Sequence, residues 1–193
     1  MHPLLRYWVA AALTAGAVAA AAASPTIAPE MREHLWTESD GRQVRLASLP
    51  GPVVVMSMAF TTCRKVCNAT ALTMSEIQQR LDALNVDADF VIVGYDPEND
   101  SPSDWSDWRV RRKLTRGNWH FLSGDPGTTR KLAHTLGLDF WAYDEHIVHD
   151  FRIVLFDAQW RKIAEIDQER AGDIARIIAG IAASLPAARA IPR

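Results

Sequence analysis

An α/β fold, with helices on both faces of a central sheet, is the fold class that the sequence predicts. The 193 residues are 48% hydrophobic and 23% charged, which is enough apolar material for the core of one domain. Two apolar, β-branched runs, at 53–60 and 89–95, have the composition of buried strands, and a helical pattern follows each of them. Strands that alternate with helices in this way form a parallel sheet covered on both sides.

The first half of the predicted domain is a hairpin followed by two strand–helix units. Short apolar segments flank Asp40-Gly41, a typical hairpin-turn pair. The strand at 53–60 leads into a helix, for which the sequence predicts one apolar face made of Val66, Leu72, Ile77, Leu81 and Leu84. The strand at 89–95 ends at Asp96-Pro97, and Ser101-Pro102 then opens a helix that extends to about residue 114.

The second half supplies a third strand–helix unit and a closing hairpin. A strand at 119–122 precedes a helix that begins at Asp125-Pro126. Strands at 151–156 and 161–166 turn at Ala158-Gln159, and a last helix covers 171–185. This order of elements is the thioredoxin-like arrangement. We therefore predict a thioredoxin-like, three-layer α/β/α domain at 35–185, extended by the N-terminal β-hairpin.

Residues 1–23 have the composition of an export signal. His2 and Arg6 make a weakly positive start, and an uncharged, alanine-rich stretch follows them. A retained membrane anchor is the alternative, because no charged residue lies between Arg6 and Glu30. Either interpretation predicts a periplasmic protein, soluble after cleavage or tethered to the inner membrane, in a compartment that permits disulfides.

Residues 24–34 are predicted to be a linker and 186–193 a disordered tail. The net charge of −2 gives no electrostatic indication of nucleic-acid binding.

Cys63 and Cys67, the only cysteines, stand where a predicted strand meets a predicted helix. The first turn of a helix presents unpaired N–H groups and the positive end of its dipole, which stabilise a thiolate, and Arg64 and Lys65 add positive charge. Their spacing places the two sulfurs about one helical turn apart, close enough to form a disulfide or to hold one ion. A plain structural disulfide and a pair of buried free thiols are the alternatives.

Four segments occur in an order that is typical of one known family. They are Cys63-Arg64-Lys65-Val66-Cys67 as a C-x-x-x-C motif, Asp96-Pro97-Glu98-Asn99-Asp100 as D-P-x-x-D, Leu122-Ser123-Gly124 as L-x-G, and Ile147-Val148-His149 in the place of I-V-D-H. Together they resemble the Sco/SenC family of copper-binding, thioredoxin-like proteins that assemble cytochrome c oxidase. The resemblance covers about residues 35–185.

The resemblance implies a metal site and a function. One copper ion, as Cu(I) or Cu(II), would bind through Cys63, Cys67 and His149, with Asp96 close to the site. The copper would be delivered to the copper domain of cytochrome c oxidase subunit II, or to another periplasmic copper protein. The sequence departs from the family pattern where proline usually follows each cysteine and where aspartate precedes the histidine; here Arg64, Asn68 and Val148 stand in those places.

The chemistry of these side chains is consistent with the implied site. Thiolates favour Cu(I), an imidazole also suits Cu(II), and three protein ligands leave a position open for transfer. Asp96 or Asp150 is placed to orient the His149 ring as a second-shell partner, while His146 is a rival ligand. The alternative function is a periplasmic thiol–disulfide oxidoreductase that uses Cys63 and Cys67 as its catalytic pair. The absence of proline between residues 126 and 186, where a redox thioredoxin carries its cis-proline, favours metal binding.

The remaining conspicuous residues have simpler interpretations. Met56 and Met58 share one face of a buried strand and are predicted to fill the core, and Trp105 and Trp108 are predicted to pack one face of their helix. The basic run 109–113 is predicted to be a solvated face, with docking of an acidic partner as the alternative. Three histidines are predicted not to be ligands: His34, His120 and His134.

Overall fold

The computed structural model of the protein describes residues 26–63, 66–143 and 146–185. The predicted leader at 1–23, the predicted tail at 186–193, and Arg64 and Lys65 lie outside these ranges. In the described part of the chain the strands are β1 (Trp36–Glu38), β2 (Gln43–Val44), β3 (Val53–Ala59), β4 (Ala88–Gly94), β5 (Trp119–Ser123), β6 (Phe140–Tyr143), β7 (His146–His149), β8 (Arg152–Asp157) and β9 (Lys162–Asp167). The α-helices there are α1 (Pro29–Arg32), α2 (Val66–Ala83), α3 (Pro102–Arg111), α4 (Pro126–Thr135) and α5 (Ile174–Ser184).

Seven strands form one mixed sheet in the order β2-β1-β5-β4-β3-β8-β9. The central strands β3 and β4 are parallel, and all seven residues of each are buried, as their apolar sequences predict. Ala59 pairs with Gly94 at the last position of this ladder, and the Tyr95 N–H donates to the Ala59 carbonyl at 2.8 Å. The carboxyl ends of the two strands therefore meet at one edge of the sheet.

The helix starts that the sequence predicts are present and capped. Ser101 and Asp104 form a reciprocal capping box at the start of α3, and the Asp125 carboxylate accepts the Thr128 N–H at the start of α4. Trp105 and Trp108 are fully buried, and Met56 and Met58 are at most 1% exposed. These core predictions are confirmed. None of the helices in the described ranges is both long and apolar enough to cross a membrane.

The predicted apolar face of α2 is wrong at two positions. Leu72 is 72% exposed and Leu84 is 46% exposed, whereas Ile77 and Leu81 are buried. The face that packs on the sheet instead runs through Cys67, Thr70, Ala71, Met74, Ile77, Gln78 and Leu81. This set has the regular three- and four-residue spacing of one helical stripe, and Leu72 lies beside that stripe.

Two segments have more structure than the sequence suggested. Part of the predicted linker, 26–34, packs on the domain: Ile27 is fully buried, and Met31, which lies on α1, is nearly so. The second segment is the antiparallel hairpin of β6 and β7, where no strands were predicted. This hairpin ends at His149 and brings that residue to the edge of the sheet where β3 and β4 terminate.

Candidate metal centre

The two cysteines lie in the connection between β3 and α2. The Cys63 N–H donates to the Phe60 carbonyl at 3.2 Å, so the chain turns immediately after β3. Cys67 lies in the first turn of α2, and its N–H donates to the Cys63 sulfur at 3.3 Å. Cys67 is fully buried and Cys63 is partly exposed, so one sulfur is fixed in the core and the other faces the opening of the site.

His149 arrives from the end of β7, more than 80 residues further along the chain. Its Nδ1 lies 2.9 Å from the Asp150 backbone carbonyl, which can only accept, so Nδ1 carries the proton and donates. Nε2, the other ring nitrogen, then faces the cysteines. It lies 3.4 Å from the Cys67 sulfur and 3.9 Å from the Cys63 sulfur.

These distances fit a single metal ion between the three donors. Metal–sulfur and metal–nitrogen bonds of about 2.3 and 2.0 Å that meet at about 110–120° separate sulfur from nitrogen by about 3.5–3.7 Å. The two observed separations, 3.4 and 3.9 Å, bracket that value. All three donor atoms lie within 4.8 Å of one another, and among the described residues this is the only such group of three cysteine, histidine or carboxylate side chains.

Comparison with known proteins agrees with this geometry. Residues 24–185 match the SCO1/SenC family. The chain belongs to the SCO1/SenC family. A SCO1 protein homolog of Bacillus subtilis is 33% identical to it over 95 residues, which are 49% of each sequence, so the chain spans about half the length of that curated relative.

Solved structures share the fold of this SCO1/SenC protein. The crystal structure of Arabidopsis thaliana ScoI with copper bound matches 77% of this chain and 93% of its own, with a TM-score of 0.66 at 17% identity. BsSco, whose structure identified a disulfide switch in a member of the Sco family of cytochrome c oxidase assembly proteins, matches 84% and 96%, with a TM-score of 0.68 at 22% identity. The predicted α/β, thioredoxin-like fold is therefore confirmed.

Burial controls the protonation of Cys67 in this SCO1/SenC protein. Desolvation raises the pKa of the Cys67 thiol far above its ordinary value, and the neighbouring Cys63 adds to that rise. A hydrogen bond from the Phe60 backbone and the charge of Arg112 lower the pKa by less. The burial of Cys67 therefore opposes the stabilisation of its thiolate that is expected from the helix start. A bound cation removes the proton directly, because a coordinating thiol is deprotonated outright.

Aromatic rings form the wall of the site behind His149. The Tyr95 ring lies 4.7 Å from the imidazole, centroid to centroid, and the Phe60 ring meets it edge-on at 5.7 Å. Phe140, the cross-strand partner of His149, packs against Tyr95 at 4.8 Å. No motif in the sequence indicated that these residues belong to the site. The available signal was their position, since Phe60 and Tyr95 each follow directly on one of the two central parallel strands.

The two aspartates predicted to orient the His149 ring, Asp96 and Asp150, make different contacts in the structure. Asp150 adjoins the His149 ring through its backbone carbonyl, while its carboxylate lies 3.5 Å from the Asp139 backbone nitrogen. Asp96 instead accepts both of its side-chain hydrogen bonds from Asn99, at 2.9 and 3.0 Å, and shapes the turn after β4. The side chain of His146, the predicted rival ligand, lies outside the described part of the structure.

A third aspartate, Asp100, holds the cysteine loop in place. Its Oδ1 accepts hydrogen bonds from both the N–H and the hydroxyl of Thr61, at 3.0 and 2.5 Å. Asp100 is 4% exposed, and burial raises its pKa to about 6. Because Thr61 stands two residues before Cys63, this contact ties the loop that carries the cysteine to the turn after β4. The sequence contained the signal for it, since Asp100 closes the D-P-x-x-D segment.

Proposed function

We propose that this protein binds one copper ion through the sulfurs of Cys63 and Cys67 and Nε2 of His149. We further propose that it delivers this copper to, or prepares, the binuclear copper site of cytochrome c oxidase. The observation that supports this most strongly is the convergence of the three donor atoms to within 4.8 Å. Membership of the SCO1/SenC family and the copper-bound structure of a protein with the same fold also support copper binding.

The donor set suits copper better than the other common metals. Two thiolates are soft ligands that favour Cu(I), and the added imidazole also accommodates Cu(II). A structural zinc site would normally have a fourth protein ligand, and within the described residues no further cysteine, histidine or carboxylate completes the set. Three ligands with Cys63 partly exposed leave an approach for an acceptor. These are the properties of a carrier rather than of a closed structural site.

The proposed partner is the copper domain of cytochrome c oxidase subunit II, or another periplasmic copper protein. Support for the compartment comes from the leader composition of residues 1–23, which is that of an exported or membrane-tethered protein. Both the donor and the acceptor would then meet outside the cytoplasm. There, an anchored donor would be held near a membrane-bound acceptor.

A genetic complementation experiment tests this function. A bacterial strain that lacks its own SCO1/SenC gene is supplied with the wild-type chain, Cys63→Ser or His149→Ala, and cytochrome c oxidase activity is measured in its membranes. We expect the wild type to restore activity and both variants to fail, with His134→Ala as a control because it alters a histidine on α4. Full restoration by His149→Ala would contradict the proposed function.

Thiol–disulfide exchange is the second candidate function. The Cys67 N–H donates to the Cys63 sulfur at 3.3 Å, so the two cysteines lie next to each other. The disulfide switch described for BsSco supports the same chemistry here. In this function the sulfurs alone react, so His149→Ala would keep its activity in an insulin reduction assay while Cys63→Ser would lose it. Equal loss in both variants would argue against a dithiol activity that is independent of the metal site.

A further inference from the structure

A groove of about 350 Å³ opens on the surface next to the metal centre. Asn68, Ala71 and Leu72 on the first turns of α2 form one wall, and residues 111–113 at the end of α3 form the other. Asn68 directly follows Cys67 in the chain, so the groove adjoins the metal centre. A protein that approaches the copper ligands along α2 would therefore cover this groove.

The apolar wall of the groove carries a side chain that the fold leaves uncovered. Leu72 is 72% exposed, which is more than any other large apolar side chain of the described residues. A single exposed leucine is ordinary on a protein surface. This one is distinguished by its place, one helical turn beyond Asn68 and opposite a row of cations.

The opposite wall is positively charged, and its cations form no close ion pair. Among the described residues, no carboxylate lies within 4 Å of the charged groups of Arg111, Arg112 or Lys113, whereas Arg80 and Arg116 pair with carboxylates at 2.7 and 2.5 Å. Arg111 and Lys113 are exposed. The fold therefore places three consecutive cations beside the groove without a close ion pair, although the charge of Arg111 does reach Asp104 on the same helix.

Arg112 is fixed in position by uncharged partners. Its Nε and Nη2 donate to the Asn68 side-chain oxygen at 3.1 and 2.5 Å. Its guanidinium also stacks over the Trp108 ring at 3.8 Å. Asn68 is thus held between the Cys67 ligand and a fixed cation, and the positive charge of Arg112 acts on the Cys67 sulfur as well as on the groove.

We propose that this groove is the docking surface for an acidic segment of the protein that exchanges copper with Cys63 and Cys67. The proposal rests on the proposed function. Cations that form no close ion pair attract carboxylates and guide their approach, while Leu72 offers an apolar contact that excludes water. The exchange moves Cu(I) without electron transfer: the acceptor thiols lose protons as they bind the ion, and the vacated sulfurs of this protein take protons up.

A peptide-binding experiment on the full chain tests the surface without copper. The probe is a fluorescent, cysteine-free peptide of aspartate, glutamate and leucine, and its counterpart has lysine in place of every acid. We expect the acidic peptide to bind at least about tenfold more tightly at about 50 mM NaCl, and the difference to shrink at about 500 mM. The double variant Arg111→Glu/Lys113→Glu should abolish the preference, and Leu72→Ser should weaken binding about threefold.

Matched controls exclude a general effect of charge or apolar surface. Lys131→Glu/Arg170→Glu makes the same change in net charge at exposed cations outside the groove, and Leu84→Ser removes an exposed leucine from the turn that follows α2. Both controls should bind the acidic peptide as the wild type does. Equal binding of the two peptides, or a preference that survives charge reversal at the groove, would overturn the proposal.

A copper titration of the same proteins separates this proposal from the proposed function. Competition with a chromophoric Cu(I) chelator should give one equivalent of copper for the wild type and for every groove variant. One equivalent of copper without a charge-dependent peptide preference would overturn only the docking surface. Loss of copper binding with the preference intact would overturn the proposed function and the role in copper exchange, but not the acidic docking surface itself.

Discussion

His120 joins three strands through two buried carboxylates. Its Nδ1 lies 3.1 Å from Glu38 on β1, and its Nε2 lies 3.1 Å from Asp89 on β4. The carboxylates are only 3% and 4% exposed. Burial of the imidazole lowers its pKa, but the hydrogen bonds to Asp89 and Glu38 outweigh this effect and raise the pKa to about 9. At neutral pH the ring is therefore a cation that holds β1 and β4 to β5.

The size of this contribution follows from the shift of the pKa. A rise from 6.5 to about 9 corresponds to about 3 kcal/mol, at about 1.4 kcal/mol for each pH unit. Because the folded protein binds this proton more tightly than the unfolded chain does, the stabilisation is fully present below pH 6.5. It is lost as the pH rises through 9. The free energy of unfolding should fall by about 3 kcal/mol across that interval.

Urea unfolding of the wild type and His120→Gln between about pH 6 and pH 10 measures this contribution. At pH 6.5 the variant should be less stable by about 3 kcal/mol, because two buried carboxylates lose their cation. Between pH 7 and pH 10 the variant should lose about 3 kcal/mol less stability than the wild type, because only the loss that the buried Cys67 thiol causes in both proteins remains. His134→Gln on α4 serves as the control and should keep the wild-type pH dependence. An equal alkaline loss of stability in His120→Gln and the wild type would refute this reasoning.

Three further predictions concern the loop, a close contact and the helix face. Asp100→Ala leaves the Thr61 N–H unpaired, so it should lower the free energy of unfolding by about 1–3 kcal/mol and weaken Cu(I) binding. Asp100→Asn keeps an acceptor for this N–H, so it should retain most of the stability and most of the Cu(I) affinity. Gly124→Ala places a methyl group 2.6 Å from an indole ring on β1 and should lower the stability by about 1–3 kcal/mol. Ile77→Ala should cost about 2–4 kcal/mol in urea unfolding, and exposed Leu72→Ala no more than about 0.5 kcal/mol. Equal effects of the last two substitutions would contradict the helix face observed here.

The parts of the fold that were predictable are those whose signals are local. The strands β3 and β4 are continuous apolar runs, and the starts of α3 and α4 combine a capping residue with proline at the first helical position. The β6–β7 hairpin has no such signal, because it is short and forms apart from the main sheet. The burial of Ile27 was also missed, since it depends on packing against the body of the domain rather than on local pattern.

The site was predictable in part for the same reason. The spacing of Cys63 and Cys67 at a strand–helix junction is a local pattern, and it correctly predicted that their sulfurs lie close together. The approach of His149 came from the family resemblance, because no local rule connects a residue on a distant hairpin to this loop. Tyr95 and Asp100 surround the site through contacts between loops, which the sequence does not specify without the topology of the sheet.

A Cu(I) titration of the reduced full chain, in competition with a chromophoric chelator, tests the three-donor centre most directly. The wild type should take up one equivalent of copper. His149→Ala should bind at least about tenfold more weakly, since even the loss of a residue that only supports a ligand weakens metal binding by about that factor. His134→Ala should match the wild type. A wild type that binds no copper, or a His149→Ala variant that binds as tightly as the wild type, would contradict the account.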